Sequence, residues 1–290
     1  MHNRTKTDPD ADPATLRDDA PEVVEQERKE VVKERTAISA QVVYEAILAE
    51  GQEELSRPTS ALAFSGLAAG LSMGFSFLTQ GYLTSGLASE SWGRVVGKLG
   101  YSMGFLIIIL GRQQLFTENT LTPIIPLLKH KHVKTLLNTA RLWGTVFLAN
   151  WVGTMLVGWV LACSGIISEE ARPVFSSIAH TAMDHGFGLL LLKALFAGWL
   201  IALLVWLLPF AETGRVAVIV LMTYVIALGS FAHVVAGSVD VFYLVARGDT
   251  TFGHYLLGFM LPTLLGNIVG GVALVAALNH AQVTAGSNSA

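Results

Sequence analysis

The chain has 290 residues, 52% of them hydrophobic and only 14% charged, with a formal net charge of -3 and a mean hydropathy of +0.53. A soluble globular domain carries about 25% charged residues, so this balance excludes an ordinary soluble enzyme, and the apolar content excludes a disordered or collagen-like chain. A pI near 6.2 leaves no basic footprint for nucleic acid, and the lone Cys163 excludes an internal disulfide or a cysteine-ligated zinc.

The charge is unevenly placed. Residues 1–60 hold 8 of the 19 Lys/Arg and 14 of the 22 Asp/Glu, so a charged tail precedes a nearly charge-free body. Residues 1–36 are acidic and hydrophilic, contain no signal-peptide pattern, and read as a disordered tail. Residues 37–58 place Ile38, Val42, Ala46 and Ala49 at helical spacing, which predicts an amphipathic helix along the cytoplasmic face. That helix reads equally as a solvated lead-in or as a regulatory gate. Residues 59–280 form the membrane domain, and 281–290 a short C-terminal tail.

A spanning helix needs about 20 apolar residues, and the body contains six hydrophobic segments, at about 61–83, 99–128, 142–163, 187–209, 216–246 and 255–279. With the N-terminus inside, 13 basic residues fall on the cytoplasmic side and 4 (Arg94, Lys98, Arg172, Arg247) outside. The positive-inside rule therefore puts both termini in the cytoplasm. Short loops and the absence of a disulfide suit a bacterial inner membrane.

In the first segment Gly66, Gly70 and Gly74 form a stripe that close helix packing explains fully. The second and fifth segments are too long, near 30 residues each, which as straight helix would reach roughly 45 Å against a hydrocarbon core of about 30 Å. The second is interrupted by GRQQLFTENT (111–120) and the fifth by GSFAHVVAG (229–237). Arg112, Gln113, Gln114, Glu118 and Asn119 cannot face lipid, and non-helical backbone at depth is tolerated only against protein or a wet cavity. Both segments are thus expected to be broken helices lining a pathway. Leu115-Phe116-Thr117 lies 116 residues before Phe231-Ala232-His233, and Asn150-Trp151-Val152-Gly153 lies 117 before Asn267-Ile268-Val269-Gly270. Two homologous halves of three spans each must sit inverted in the bilayer, which places a substrate path at their interface.

Asn150 and Asn267 are expected to satisfy backbone groups freed at the breaks. Arg112 is expected to pair with Glu118, with freed carbonyls or with a neighbouring protomer. Lys193 is expected to snorkel to the outer interface, and Asp240 to be an interfacial or intersubunit partner rather than a proton relay. Lys129-His130-Lys131-His132 is a cytoplasmic basic loop, not a metal site.

Over residues 35–280 the chain resembles the formate/nitrite transporter family. The resemblance rests on GYSMGFLIIILGRQQLFTENT (100–120), NWVG (150–153), GSFAHVV (229–235) and PTLLGNIVGG (262–271). It is nearest to a branch whose members read RQQLFTENT. The resemblance implies an all-α, aquaporin-like fold of six transmembrane helices and a homopentamer in which each protomer has its own pore. It also implies passage of small monovalent anions or their neutral acids, such as formate, nitrite, hydrosulfide or lactate. Carried over by position, the pore histidine corresponds to His233 and the threonine facing it to Thr117. The inner hydrophobic constriction falls on Leu115 and Phe116, and the outer one on Tyr101, Phe105 and Ile226. The chain departs from the family pattern at Gln114, where an acidic residue is usual, at Ala232 (usually Glu) and Gly237 (usually Asn), near Gly198, which replaces an Asn, and at the outer vestibule lysine, where Ala182 aligns with His180 and His185 close by.

A bare charge in hydrocarbon is very costly, whereas a neutral acid is not. An apolar channel with one titratable donor, His233, meets that requirement. The function expected is therefore a channel for small weak-acid anions, with no cofactor and no metal. A neutral-solute pore is disfavoured because no paired Asn-Pro-Ala motif occurs, and a membrane enzyme because HExxH, GxSxG and P-loop motifs are absent. The alternative is a non-conducting protein of the same fold with an envelope or partner-binding role.

Overall fold

The computed structural model describes residues 39–211 and 213–287. The tail at 1–36 lies outside the described residues, as does Ile38. Among the described residues every regular element is helical, with no strand.

The first helix, α1 (Ala40–Ser56), buries Val43, Tyr44, Ile47, Leu48, Gly51 and Leu55. Val42, Ala46 and Ala49, the apolar stripe read from sequence, lie on the opposite, exposed face. Both faces carry apolar residues at helical spacing, and the one with the larger side chains wins because the gain scales with area buried, about 25 cal/mol per Å². Gly51 permits the close approach, since a Cβ there would collide with the Thr122 carbonyl.

The first membrane segment is α2 (Thr59–Ser72) running almost directly into α3 (Gly74–Gly86). The second begins with α4 (Gly93–Gly97), tightens to 3₁₀ over Lys98–Tyr101, continues as α5 (Ser102–Leu110), and resumes as α6 (Ile124–His130) only after an irregular stretch and a 3₁₀ turn at Glu118–Thr120. The long helix α7 (Val133–Cys163) starts nine residues before the expected 142. Lys134 and Arg141 lie outside the charge-free run in the sequence but inside the helix, which includes both. After α8 (Arg172–Thr181) come α9 (Phe187–Leu207), α10 (Arg215–Leu228) and α11 (Val234–Arg247). The last rod comprises α12 (Phe252–His254), π turns at Tyr255–Met260 and Val272–Ala277 on either side of α13 (Leu261–Gly271), and α14 (Leu278–Ser287).

Among the described residues five stretches are long and apolar enough to cross a membrane: Thr59–Gly86, Gly93–Leu110, Val133–Cys163, Phe187–Phe210 and Phe252–Gly286. α10 is apolar but has only 14 residues, and α11 is equally short. The expected segment 216–246 is thus two helices rather than one rod. The core is closed by α7 against α2 and α11, and by α9 against α13. Glycines set these distances: a Cβ on Gly153 would lie 2.8 Å from the Gly70 backbone, and one on Gly198 would strike the Asn267 carbonyl. The outer surface is greasy, with Phe64 75%, Leu257 69% and Leu221 61% exposed, the pattern of a surface meeting lipid rather than water.

Candidate functional site

Two helices stop inside the apolar body, and they stop in the same way. α5 ends before Arg112 at φ 53, and α10 before Ser230 at φ 48. The Gln113 amide donates to the Ile108 carbonyl at 2.9 Å and the Arg112 amide to Ile109 at 3.3 Å. Correspondingly, Phe231 donates to Ile226 at 2.9 Å and Ser230 to Ala227 at 3.1 Å. Such paired bonds satisfy carbonyls that a helix end leaves open.

An asparagine from a packed neighbour then holds each loose strand. Asn150 on α7 accepts the Phe116 amide at 2.9 Å and donates to Gly66 and Gln114 carbonyls at 2.8 and 2.9 Å. Asn267 on α13 accepts the Val234 amide at 2.8 Å and donates to Ala194 and Ala232 carbonyls at 2.7 and 2.9 Å. The bonding pairs Arg112 with Ser230, Gln114 with Ala232 and Phe116 with Val234, each 118 residues apart. The 116-residue offset expected from Leu115-Phe116-Thr117 is thus two residues short, because it matched similar side chains where the backbone geometry sets the alignment.

The two breaks bring Thr117 and His233 into contact: Thr117 Oγ1 and His233 Nε2 are 2.7 Å apart, and both residues are buried. His233 caps α11, with Nδ1 accepting the Ala236 amide at 3.1 Å. An Nδ1 that accepts carries no proton, so the ring is neutral, its proton is on Nε2, and Nε2–H donates to Thr117. Phe105 packs edge-on against the imidazole at 5.0 Å between ring centroids, and Tyr101 lies on Phe105 at 5.2 Å.

A cavity of about 890 Å³ reaches this point from one end of the protein. His233, Gly237 and Asp240 line it from one face of α11, with Tyr101, Ile226 and Phe231 on other walls and Arg94, Lys98 and His185 nearer its mouth. Phe105, Leu115, Phe116 and Thr117 lie beyond its lining, all at most 2% exposed. Phe116 packs on Trp143 and Phe147 of α7 at 5.8 and 5.1 Å. Among the expected pathway residues, the structure therefore groups Tyr101, Ile226 and His233 on the cavity, and Phe105, Leu115, Phe116 and Thr117 behind it.

On the opposite side α1 is tied to the break. Glu54 accepts from Gln114 Nε2 at 3.0 Å and from Thr122 Oγ1 at 2.6 Å, and Gln114 Oε1 accepts from Asn119 at 3.0 Å. Burial raises the Glu54 carboxyl above its ordinary value, opposed by those two hydrogen bonds. Arg112 does not pair with Glu118; it lies 3.5 Å from Glu50 on α1, largely in solvent. Such an exposed pair contributes at most about 1 kcal/mol. Glu118 Oε1 and Gln113 Oε1 are buried with no hydrogen-bond partner. Lys193 turns toward His185, with Nζ 2.6 Å from Nε2. Asp240 lines the cavity.

The sequence pattern of the formate/nitrite transporter family matches residues 41–281. The chain belongs to that family. It is a family of membrane transporters and channels, not of enzymes. The chain is 39% identical over 254 residues to the inner membrane protein YfdC of Escherichia coli (strain K12), covering 88% of this chain and 82% of that one. A solved structure described as an FNT family ion channel superposes with a TM-score of 0.72 at 18% identity, over 82% of this chain and 97% of the other. A pentameric formate channel with formate bound superposes with a TM-score of 0.63 at 20% identity, over 76% and 95%. The fold is therefore the formate/nitrite transporter fold.

The departures from the family pattern acquire physical partners in this transporter. Gln114 borrows its carboxylate from Glu54 of α1. Gly237 leaves room for the Phe259 ring, which a Cβ would strike. Positive charge around the cavity comes from Arg94 and Lys98 rather than from position 182; Lys98 Nζ donates to the Leu228 carbonyl at 3.2 Å. Glu54 and Lys98 were not singled out from sequence, since each is an ordinary surface charge until the fold brings its distant partner to it.

Proposed function

We propose that this transporter is a channel of the inner membrane for small monovalent weak-acid anions, which cross it as their neutral acids. Six spans in two inverted halves fit the paired helix terminations, with α5/α6 and α10/α11 as the two broken spans. The cytoplasmic side is then the α1 side, the cavity opens outward, and residues 59–280 are the channel with 37–58 as its cytoplasmic helix. A homopentamer follows the formate channel whose fold it shares. The observation that carries the reading is the 2.7 Å Thr117–His233 contact at the inner end of a cavity, backed by the buried side chains of Phe105, Leu115 and Phe116.

The chemistry follows from that geometry. A hydrated ion cannot pass Phe105, Leu115 and Phe116 without losing water it cannot replace. His233 Nε2–H is a donor held in place at the narrowing, and it can pass from Thr117 to an oxygen of the permeant acid. Charging the ring would require Nδ1 to release the Ala236 amide, leaving it unsatisfied at a cost of about 1–3 kcal/mol. His233 therefore serves as a hydrogen-bond donor rather than as the source of the proton. Proteoliposomes holding the protein should take up formate, nitrite or hydrosulfide faster at low external pH, and His233→Ala should change the rate or the selectivity. The reading is refuted if the purified protein moves none of these while an established formate channel does.

A further inference from the structure

If His233 stays neutral, the proton that neutralises the anion must come from elsewhere. Asp240 lies two turns along α11 from His233, on the face that also presents Gly237, and all three line the same cavity. Gly237 between them carries no side chain, and the Phe259 ring, also on the cavity lining, packs over that position. Among the described residues no hydrogen bond or ion pair involves the Asp240 carboxyl. The cations of the cavity do not neutralise it: Lys98 is turned to the Leu228 carbonyl and, at 3.5 Å, to Ser230 Oγ, and Arg94 makes no ion pair with it. The other titratable groups facing this space are Glu90, Tyr101, His185 and His233. His185 is engaged with Lys193 and His233 with Thr117, while Glu90 is exposed near the mouth.

An unpaired carboxylate on the wall of an anion pathway is costly for that pathway. Seven residues of helix separate it from His233 by about 10 Å. At an effective dielectric near 20, an ionised Asp240 would lower the occupancy of a monoanion at the His233 level by roughly tenfold. Protonated, the same group repels nothing and holds an acidic hydrogen facing the anion's route.

We propose that Asp240 is a proton-binding site of the pathway and the group that gives the entering anion its proton. The Asp240 O–H bond breaks as the anion's oxygen takes the hydrogen. The neutral acid moves on to His233 and then past Phe105, and the Asp240 carboxylate is reprotonated by hydronium from the outer solution. One proton and one anion enter together, so the cycle is electroneutral. This inference rests on the transport reading above and deepens it by assigning the proton source.

The test is initial uptake of radiolabelled formate into proteoliposomes between external pH 5 and 7.5, for the unmodified protein, Asp240→Asn and Asp240→Glu, with empty vesicles subtracted. The expected result is that Asp240→Asn flattens the pH profile, while Asp240→Glu restores it. An Asp240→Asn profile that follows the unmodified one would overturn the proposal. Infrared difference spectra of the purified protein across the same pH range, compared with Asp240→Asn, decide proton binding independently of flux. If no formate moves at any pH, the transport reading fails, and a carboxylic-acid band lost in Asp240→Asn still establishes the proton site. If that band is absent from the unmodified protein, the Asp240 assignment fails whatever the flux.

Discussion

Replacing Asn267 by Leu keeps side-chain volume at the second helix break and removes every polar atom. Three hydrogen bonds disappear, to the Val234 amide and the Ala194 and Ala232 carbonyls. Ala194 lies within α9 and keeps its helical partner, whereas the Val234 amide and the Ala232 carbonyl are buried at a chain break with nothing else to bond. A buried polar group left unsatisfied costs about 1–3 kcal/mol, so the two together cost about 2–6 kcal/mol. That is a large part of a marginal stability of about 5–15 kcal/mol. Asn267→Ala should lose somewhat more, since it also opens a cavity. Asn150→Leu should lose a similar amount through the Phe116 amide and the Gln114 carbonyl. Reversible unfolding in mixed micelles, followed by tryptophan fluorescence, measures each difference. An Asn267→Leu protein within about 1 kcal/mol of the unmodified one would refute the argument that this side chain substitutes for lost helical bonds.

Further consequences follow from the α1 contacts and the glycine packing. Burial raises the Glu54 carboxyl pKa in the folded state, so its contribution to docking α1 is full below the unfolded value and is lost as pH rises through the folded one. Hydrogen exchange across 40–56 should therefore quicken with rising pH, beyond the intrinsic chemical rate, and Glu54→Gln should remove that excess; equal slopes in both proteins would contradict it. Arg141 donates to the Leu55 and Arg57 carbonyls at 2.9 and 3.0 Å and to Thr59 Oγ1 at 3.0 Å. Arg141→Ala should loosen the α1–α2 junction by about 1–3 kcal/mol, seen as faster proteolysis there with the membrane body intact. Gly198→Leu should abolish assembly of α9 on α13, whereas Gly144→Leu, facing open space, should be tolerated; size-exclusion profiles in detergent distinguish the two outcomes.

Some of this was legible in the residues and some was not, for identifiable reasons. The sparse charges located the apolar segments, because the cost of a charge in hydrocarbon acts on each residue whatever its neighbours. The polar residues at 111–120 and 229–237 marked where helix could not continue, and Asn150 and Asn267 were recognisable as groups able to replace its lost bonds. Helix ends were less accessible: α7 begins nine residues early, since helix continues freely into water. The face that α1 packs on the protein was not read from sequence, as either stripe is apolar and only the surface that receives it decides between them.

The chain by itself thus determined an all-helical membrane protein of the formate/nitrite transporter family, with two interruptions and His233 at one of them. Hydropathy and family motifs are local properties and survive without a fold. Tertiary structure decided everything that depends on two distant residues meeting: Thr117 with His233, Glu54 with Gln114, Arg112 with Glu50 rather than Glu118. It also decided the side on which Asp240 faces, because a helix in lipid can present a carboxyl to a neighbour or to its own cavity, and only packing selects which.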